Sequence, residues 1–305
     1  MKISVVIPVY NGDKTISRLV AELQNELSLY ALEVVLVNDS STDDSDEVCK
    51  KLTINSPHIK YICLRKNFGE HNAVICGLNY CTGDYVAIVD DDFQNPPSEI
   101  IKLIDEAKKG FDVVYSKYDE KKHNVFRNFG SKINDRCASL LLNKPKNLYL
   151  SSFKVIKGNL IPEIIKYKGP FPYIDGLILR CTNNIGVVTV QHNAREEGKS
   201  NYTIKKLVSL YLNMFLNFSV KPLRVFTLMG IVLFIIGIVY AGVILYEKLF
   251  KATAPTGYSS LIMAFLLFSG FQIIFLGLIG EYLGKQYLDQ NGTPQYIILK
   301  EINTI

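Results

Sequence analysis

The sequence predicts an α/β fold built on a mostly parallel sheet, followed by two membrane-crossing helices. Short β-branched runs alternate with amphipathic segments through the first 116 residues, the pattern of a parallel sheet with helices on both faces. The runs end in turns rich in Asp, Asn and Ser, where open α/β sheets bind their ligands. Further on, Val225 to Tyr246 and Ser259 to Gly280 are each 22 residues without a formal charge. Either stretch is long enough to cross a hydrocarbon core of about 30 Å.

Taken in order, Ile3 to Pro8, Leu32 to Asn38, Ile59 to Leu64, Tyr85 to Asp90 and Asp112 to Ser116 read as strands, and Val187 to His192 as a later one. From Lys117 to Ser152 the alternation weakens into a basic stretch and then an apolar, helix-like segment at 133–142. Tyr202 to Ser219 places Leu207, Leu210, Tyr211, Met214, Phe215 and Phe218 at helical spacing, as in a core helix or one lying on a membrane surface. Continuity with the first uncharged stretch favours the membrane surface. The expected organisation is therefore a soluble domain over 1–201, an interfacial helix and linker over 202–224, two spans (225–246 and 259–280) within 225–284, and a polar tail over 285–305. Within that tail, Gln295 to Leu299 is β-like.

Charge and cysteine usage narrow the setting. The net charge of +5 is spread along the chain rather than gathered in one run, which gives no reason to expect nucleic-acid binding. Lys205, Lys206, Lys221 and Arg224 instead lie just before the first uncharged stretch, where anionic lipids attract basic residues. The opening MKISVVIPVYNG carries Pro8 inside a short apolar run and reads as a buried strand, not as an export signal. The six cysteines form no C-x-x-C pair and no zinc pattern with the four histidines, as expected of free thiols in a reducing compartment. Lys221, Arg224 and Lys285 flank the two stretches on one side, against Lys248 and Lys251 in the connecting loop. The balance favours a multi-pass protein of the plasma or inner membrane whose soluble domain is cytoplasmic.

Two polar turns hold the candidate chemistry. Asp90, Asp91 and Asp92, followed by Phe93, Gln94, Asn95, Pro96 and Pro97, sit where a buried strand gives way to a helix. Adjacent carboxylates repel unless a cation offsets them, and residues 90 and 92 of an extended chain point to the same side. Hard oxygen donors of this kind suit Mg²⁺ or Mn²⁺, which are held by one or two carboxylates plus substrate phosphates. Acidic turns also cap helices, so the triplet alone leaves both readings open. After Val35 to Val37 come Asn38, Asp39, Ser40, Ser41, Thr42 and Asp43. Asp39 could accept the N3 hydrogen of a uracil ring, with Thr42 or Asp43 capping the following helix.

The segments ISVVIPVYNG, LVNDSSTDDS, RKNFGEHNAVICGLNYCTGDYVAIVDDDFQNPP and REEGKSNY, in that order, resemble the family 2 glycosyltransferases. More narrowly, the chain is similar to the polyprenyl-phosphate glycosyltransferases, among them dolichyl-phosphate mannose synthases and bacterial enzymes that glycosylate undecaprenyl phosphate. The two uncharged stretches and GLIGEYLGKQY match the bacterial branch. The resemblance implies a GT-A fold using Mg²⁺ or Mn²⁺, with Asp90, Asp92 and Gln94 as metal ligands and Pro8, Tyr10, Asn11, Asp39 and Asp91 at the nucleotide. It places Arg127, Arg195 and Ser200 where phosphate or acceptor is bound, and Asp90, Asp92, Arg127 and Arg195 in the catalytic set. A guanidinium suits phosphate oxygens through paired charge-assisted hydrogen bonds.

The implied reaction inverts the anomeric centre as a UDP-sugar donates to undecaprenyl phosphate, giving a lipid-linked monosaccharide for an envelope glycan such as lipopolysaccharide. Homo-oligomers, often tetramers, are implied as well. The lack of tryptophan argues against a processive synthase, whose usual motif is Q-x-x-R-W. The chain departs from the family at Gly12, Asn38 and Asn201, and at Asn147 to Ser152 (NLYLSS), where relatives carry a Gly-Asp pair. Two other readings stay open: transfer onto a sugar hydroxyl of a lipid-linked glycan, with Asp91 or Asp175 as base, and a non-catalytic partner that only binds nucleotide-sugar.

Overall fold

A computed structural model of the chain describes residues 1–54, 56–118, 148–191, 193 and 257–304, with isolated positions between 230 and 250. Two compact units emerge, one of Met1–Leu207 with Gly292–Ile305 and one of Val208–Asn291.

The first unit is organised by one sheet of eight strands, β1 (Lys2–Val9), β2 (Ala31–Asn38), β3 (Ile59–Leu64), β4 (Tyr85–Ile88), β5 (Val113–Tyr118), β6 (Lys154–Lys157), β7 (Ile185–Val190) and β8 (Ile298–Ile302), in the order β7-β5-β6-β4-β1-β2-β3-β8. Pairings among β3, β2, β1 and β4 are parallel, whereas β6 and β8 run antiparallel to both or their only neighbours. The central strands are buried almost without interruption, Val5, Val6, Ile7, Val34, Val35 and Leu36 having no exposed surface. That is the signature of strands covered on both faces.

Helices α1 (Ile16–Glu26), α2 (Ser45–Thr53), α3 (Glu70–Leu78) and α4 (Glu99–Ala107) make the crossovers, followed by α5 (Ile161–Ile164) and α6 (Ile174–Cys181). Ile16, Leu19, Val20 and Leu23 of α1 and Ile100, Leu103 and Ile104 of α4 recur at helical spacing and are buried in one core. β3 has the bounds the sequence predicts, and β1, β2, β5 and β7 differ by one or two residues at an end. β4 stops at Ile88, short of Asp90.

The segment after 290 differs from the expected tail. The β-like segment expected at Gln295 to Leu299 is a strand set three residues later, Ile298–Ile302, which adds antiparallel to the exposed edge of β3. Glu301 accepts a hydrogen bond from the Tyr80 hydroxyl (2.7 Å), Lys300 pairs with Asp46 (2.6 Å), and the Asn303 amide donates to the carbonyls of Thr53, Ser56 and Ile59. An uncovered sheet edge invites pairing with other chains, which accounts for its being closed.

A buried acid secures the opposite end of the sheet. Glu33 of β2 is 3% exposed and is met by Ser4, by the amide and hydroxyl of Thr82, and by Lys2 and Lys60 at 3.0 Å each. Burial pushes this carboxyl up, but the hydrogen bonds outweigh burial and hold it at about 2. A carboxyl depressed in the fold stabilises it above the unfolded value near 4.5, and the contribution is lost as pH falls toward 2. Glu33→Gln is expected to cost about 3 kcal/mol at neutral pH. In thermal melts of the purified protein the gap to wild type should narrow steadily between pH 5 and pH 2.

In the second unit, α7 (Tyr258–Gln290) runs for 33 residues, about 50 Å at 1.5 Å per residue. It contains the uncharged stretch Ser259 to Gly280, and Leu261, Phe265, Phe268, Ile273 and Leu276 are exposed. Among the described residues, which leave out side chains at several α7 positions, no helix is long and apolar enough to cross a membrane. The other stretch, 225–246, lies outside the described residues except at isolated positions, as does the whole amphipathic segment 202–224.

Candidate active site

The polar turns that follow β1, β2, β3 and β4 meet the start of β6 at one edge of the sheet, because β6 runs antiparallel with Lys154 opposite Ile88. Three of these turns contain a non-glycine residue in the left-handed region: Asn11 after β1, Ser40 after β2 and Phe93 after β4, each with φ near 58°. Such conformations cost of order 1–3 kcal/mol and persist only where surrounding contacts over-determine them. At Phe93 the ring is buried, with the Arg18 guanidinium 3.9 Å from its centre.

The β1 and β2 turns are stitched together. Asn11 donates its amide to the Ser41 hydroxyl (3.0 Å) and accepts from the Thr42 amide (2.9 Å), while the Gly12 amide donates to the Ser45 hydroxyl (2.9 Å). Asp43 accepts the amide of Ser45, the first residue of α2 (3.1 Å), whereas the N-cap position is Asp44, which makes no side-chain cap hydrogen bond, so neither Thr42 nor Asp43 is the N-cap. Asp39 is buried, and its two oxygens take the amides of Phe68 (2.7 Å) and Gly69 (2.8 Å). Each oxygen keeps a further lone pair. Gly69 has φ of 93°, a conformation open to glycine that lets consecutive amides face one carboxylate.

The departure at Asn38 has a local cause. The Tyr61 hydroxyl gives its proton to Asp46, so its oxygen needs a donor, which the Asn38 amide supplies at 3.0 Å. An aspartate could not donate there. Gly12 is likewise determined by its surroundings: a methyl group at this position would collide with the Asp91 carboxylate, which accepts the Tyr10 amide at 3.3 Å. If Asp91 lies at the nucleotide as the resemblance implies, Gly12→Ala, by swinging Asp91 away, is expected to raise the KM for the nucleotide substrate about five- to ten-fold while stability changes by less than about 1 kcal/mol. Steady-state kinetics alongside a thermal melt would check both.

Asp90 and Asp92 flank this contact. Ser152 donates its hydroxyl to Asp90 (2.6 Å), and Asp92 accepts the Gln94 amide (3.1 Å). Burial, then Glu70, push the Asp90 carboxyl up to about 7, with Asp92 acting in the same direction and Ser152 and Lys154 against it. Nearby, Lys154 is ion-paired with Asp175, whose Oδ1 also accepts the Tyr115 hydroxyl (2.9 Å), and the His71 ring packs edge-on against Tyr173 with centroids 5.2 Å apart. Burial drives the His71 imidazole down to about 4, leaving it neutral at pH 7.

These residues fit a divalent cation. Among the described residues no three His, Cys, Asp or Glu side chains are grouped so as to hold a metal ion. Two carboxylates, an amide oxygen and room for substrate phosphates are what Mg²⁺ or Mn²⁺ takes. A carboxyl driven up by neighbouring acids is one that such an ion would relieve.

Of the residues singled out in the sequence, Tyr10, Asn11, Asp39, Asp90, Asp91, Asp92 and Gln94 all lie on these turns, and Pro8 pairs with Val37 within the sheet. Arg127, Arg195 and Ser200 lie outside the described residues. Ser152, Glu70, His71, Lys154 and Tyr115 had been given no role. Glu70 and His71 stood inside a quoted motif, and Ser152 inside the NLYLSS departure.

A glycosyl transferase family 2 model matches residues 4–160, and a GtrB C-terminal hairpin model matches residues 221–285. The chain belongs to glycosyl transferase family 2. It is 31% identical over 302 residues to the uncharacterized glycosyltransferase YkcC of Bacillus subtilis, covering 97% of this chain and 93% of that one. It is 30% identical over 308 residues to an undecaprenyl-phosphate 4-deoxy-4-formamido-L-arabinose transferase of Pseudomonas syringae pv. syringae, covering 99% and 91%. Among solved structures, it is similar to glucosyl-3-phosphoglycerate synthase from Mycobacterium tuberculosis in complex with Mn²⁺, UDP-glucose and phosphoglyceric acid. That match has a TM-score of 0.53 at 18% identity and covers 69% and 76% of the two chains. The likeness confirms a GT-A-like sheet, and this family 2 protein is a glycosyltransferase.

Proposed function

We propose that this glycosyltransferase transfers a sugar from a UDP-sugar to undecaprenyl phosphate, with inversion at the anomeric carbon. The observation that carries the acceptor assignment is the fate of the NLYLSS segment. Leu148 is buried, Ser151 joins a hydroxyl network with Ser116 and Tyr118, and Ser152 donates to Asp90. The described residues of this segment offer no carboxylate to act as a base. A phosphate monoester has a second pKa near 6 and is largely dianionic at neutral pH, so it attacks without one, whereas a sugar hydroxyl requires one. Of the two candidate bases, Asp175 is already committed to Lys154 and Tyr115, and Asp91 accepts the Tyr10 amide. The Pseudomonas relative's name specifies the same class of acceptor, and the Mycobacterium structure holds a UDP-sugar with Mn²⁺.

In this reading Asp39, Tyr10, Asn11 and Asp91 bind the nucleotide beside Pro8, and Arg127, Arg195 and Ser200 bind phosphate. Asp90, Asp92 and Gln94 hold Mg²⁺ or Mn²⁺, which when bound stabilises charge on the departing diphosphate. The remaining task of the protein is to align the lipid phosphate with the anomeric carbon. The uncharged stretches 225–246 and 259–280 anchor the enzyme as two membrane spans, supported by the hairpin match and the exposed apolar side chains of α7. The sheet domain works at the cytoplasmic face, 202–224 lies at the interface, and the protein assembles as a homo-oligomer.

The test is UDP release by detergent-solubilised protein with Mn²⁺ or Mg²⁺, a panel of UDP-sugars, and undecaprenyl phosphate present or withheld. Release with one donor that needs both lipid phosphate and metal is expected. Equal release without the lipid, or release only with a glycolipid acceptor, would overturn the assignment.

A further inference from the structure

The turn from Asp90 to Asn95 is gripped at both ends by hydroxyls that the fold does not require. Ser116 is fully buried, Ser151 is 3% exposed and Asn95 is 4% exposed. A buried hydroxyl is costly unless hydrogen-bonded, and apolar groups of the same shape in place of a bonded pair are often no less stable. β5 nevertheless carries Ser116 and Tyr118 two residues apart, on one face of the strand. Ser151, just ahead of β6, meets both of them there.

Counting protons fixes the direction of these bonds. Tyr118 donates its one proton to the Asn95 amide oxygen (2.8 Å), so the 2.9 Å bond between Tyr118 and Ser151 is donated by Ser151. Ser151, its proton spent, accepts from the Phe153 amide (3.2 Å) and from Ser116 (2.7 Å), whose proton also faces the Phe153 carbonyl (2.8 Å). The result is a one-way chain from Ser116 through Ser151 and Tyr118 to Asn95, in which each bond polarises the next. The neighbouring Ser152 reaches the other end of the turn and donates to Oδ2 of Asp90 at 2.6 Å, the length of a charge-assisted bond from hydroxyl to carboxylate. Between the two holds, the Asn193 amide donates to the Gln94 carbonyl (2.9 Å), and Phe93 keeps its left-handed φ of 58°. A residue in that conformation persists only where its surroundings over-determine it.

We propose that Ser152 and Tyr118 are positioning residues for the divalent cation. Ser152 fixes Asp90 through one carboxylate oxygen and leaves the other to the ion, while Tyr118 holds Asn95, so that the turn is formed before the metal arrives. Binding then spends little on ordering the ligands. The proposal rests on the reading that Asp90, Asp92 and Gln94 are the metal ligands. Neither hydroxyl touches the reacting atoms.

The experiment is Mn²⁺ affinity, read from the free-ion electron paramagnetic resonance signal, on full-length detergent-purified protein with saturating UDP, beside a thermal melt in chelator. Ser152→Ala is expected to weaken Mn²⁺ binding about ten-fold, the worth of one hydrogen bond to a charged group. Ser152→Thr keeps the hydroxyl and is expected to restore wild-type affinity. Tyr118→Phe keeps the ring and its edge-on contact with Tyr149, and is expected to weaken binding about three-fold, as for a neutral hydrogen bond. A merely structural role would lower the melting temperature and leave Mn²⁺ affinity as in wild type, and that result would overturn the proposal. So would a Ser152→Thr variant that binds as weakly as Ser152→Ala. If Ser152→Ala does not fold, Tyr118→Phe decides the matter by the same reading. Failure of wild type to bind Mn²⁺ at all would instead overturn the metal reading on which the proposal depends.

Discussion

Replacing Asp90 with asparagine is expected to abolish sugar transfer while making the protein harder to melt. The two effects share a cause. Asp90 is crowded by protein and by Glu70 and Asp92, and its carboxyl sits at about 7. A folded value above that of the unfolded chain means that the fold gains stability from the proton at low pH and loses it as pH rises through about 7. At pH 8 without metal, the wild type therefore carries an ionised group that its surroundings resist, and asparagine removes the charge while keeping the acceptor for Ser152.

A rise of a few degrees in melting temperature is expected in chelator at pH 8, shrinking as pH falls through about 7 and vanishing only below the unfolded value of 3.8, where both states hold the proton. On the proposed reading the same charge draws the cation, and UDP release should then fall at least 100-fold, as when a group stabilising a transition state is removed. Unchanged turnover would remove Asp90 from the metal site. Stability given up at a working site in exchange for activity is a recurrent pattern, and the left-handed Phe93 two residues before Asn95 belongs to it.

Much of the sheet was legible because its strands are continuous apolar runs closed by polar residues. Ile59 to Leu64 is bounded by His58 and Arg65, and its predicted ends are the observed ones. β6 was missed because KVIK is four residues with a lysine at each end. Its burial is decided by β4 and β5 on either side, which local periodicity does not report. β8 was placed three residues too early, since its register is fixed from a distance by β3 and by the Arg65 amide, which donates to the Ile297 carbonyl (2.9 Å).

The site divides in the same way. Asp90 to Gln94 stood out because adjacent carboxylates are costly without a purpose, and the Asp39 turn because it follows a buried strand. Lys154 and Asp175 lie 21 residues apart on different elements, and nothing in either segment announces that they meet. Asp175 could be noted as a spare carboxylate, but its commitment to Lys154 and Tyr115 is a fact of packing. Asn38 looked like a weakened acid from sequence, and becomes a required donor once Tyr61 is seen to spend its proton on Asp46.

Removing residues 293–305 is expected to damage both the fold and donor binding. The truncation uncovers the edge of β3, breaks the Lys300–Asp46 pair, and leaves the carbonyls of Thr53, Ser56 and Ile59 without the Asn303 amide. It also removes the Gln295 amide from the Gly169 carbonyl (3.0 Å). The exposed pair contributes under about 1 kcal/mol, but the strand, its ladder and the buried amides together are expected to contribute about 3–5 kcal/mol. At about 2–4 °C per kcal/mol for a domain of this size, the melting temperature should fall by roughly 10 °C, with self-association through the bared edge.

The consequence for function follows the chain. β3 leads through Arg65, held by Ile297, into the loop whose Phe68 and Gly69 amides grip Asp39. Loosening that loop should raise the KM for the donor several-fold while kcat per folded molecule changes less, because Asp90 and Asp92 follow a different strand. Lys300→Ala alone, which deletes a surface pair and leaves the ladder, should shift the melting temperature by a few degrees at most and leave KM unchanged. A truncated protein that melts and binds donor like wild type would show that β8 merely covers an edge that the rest of the sheet does not need.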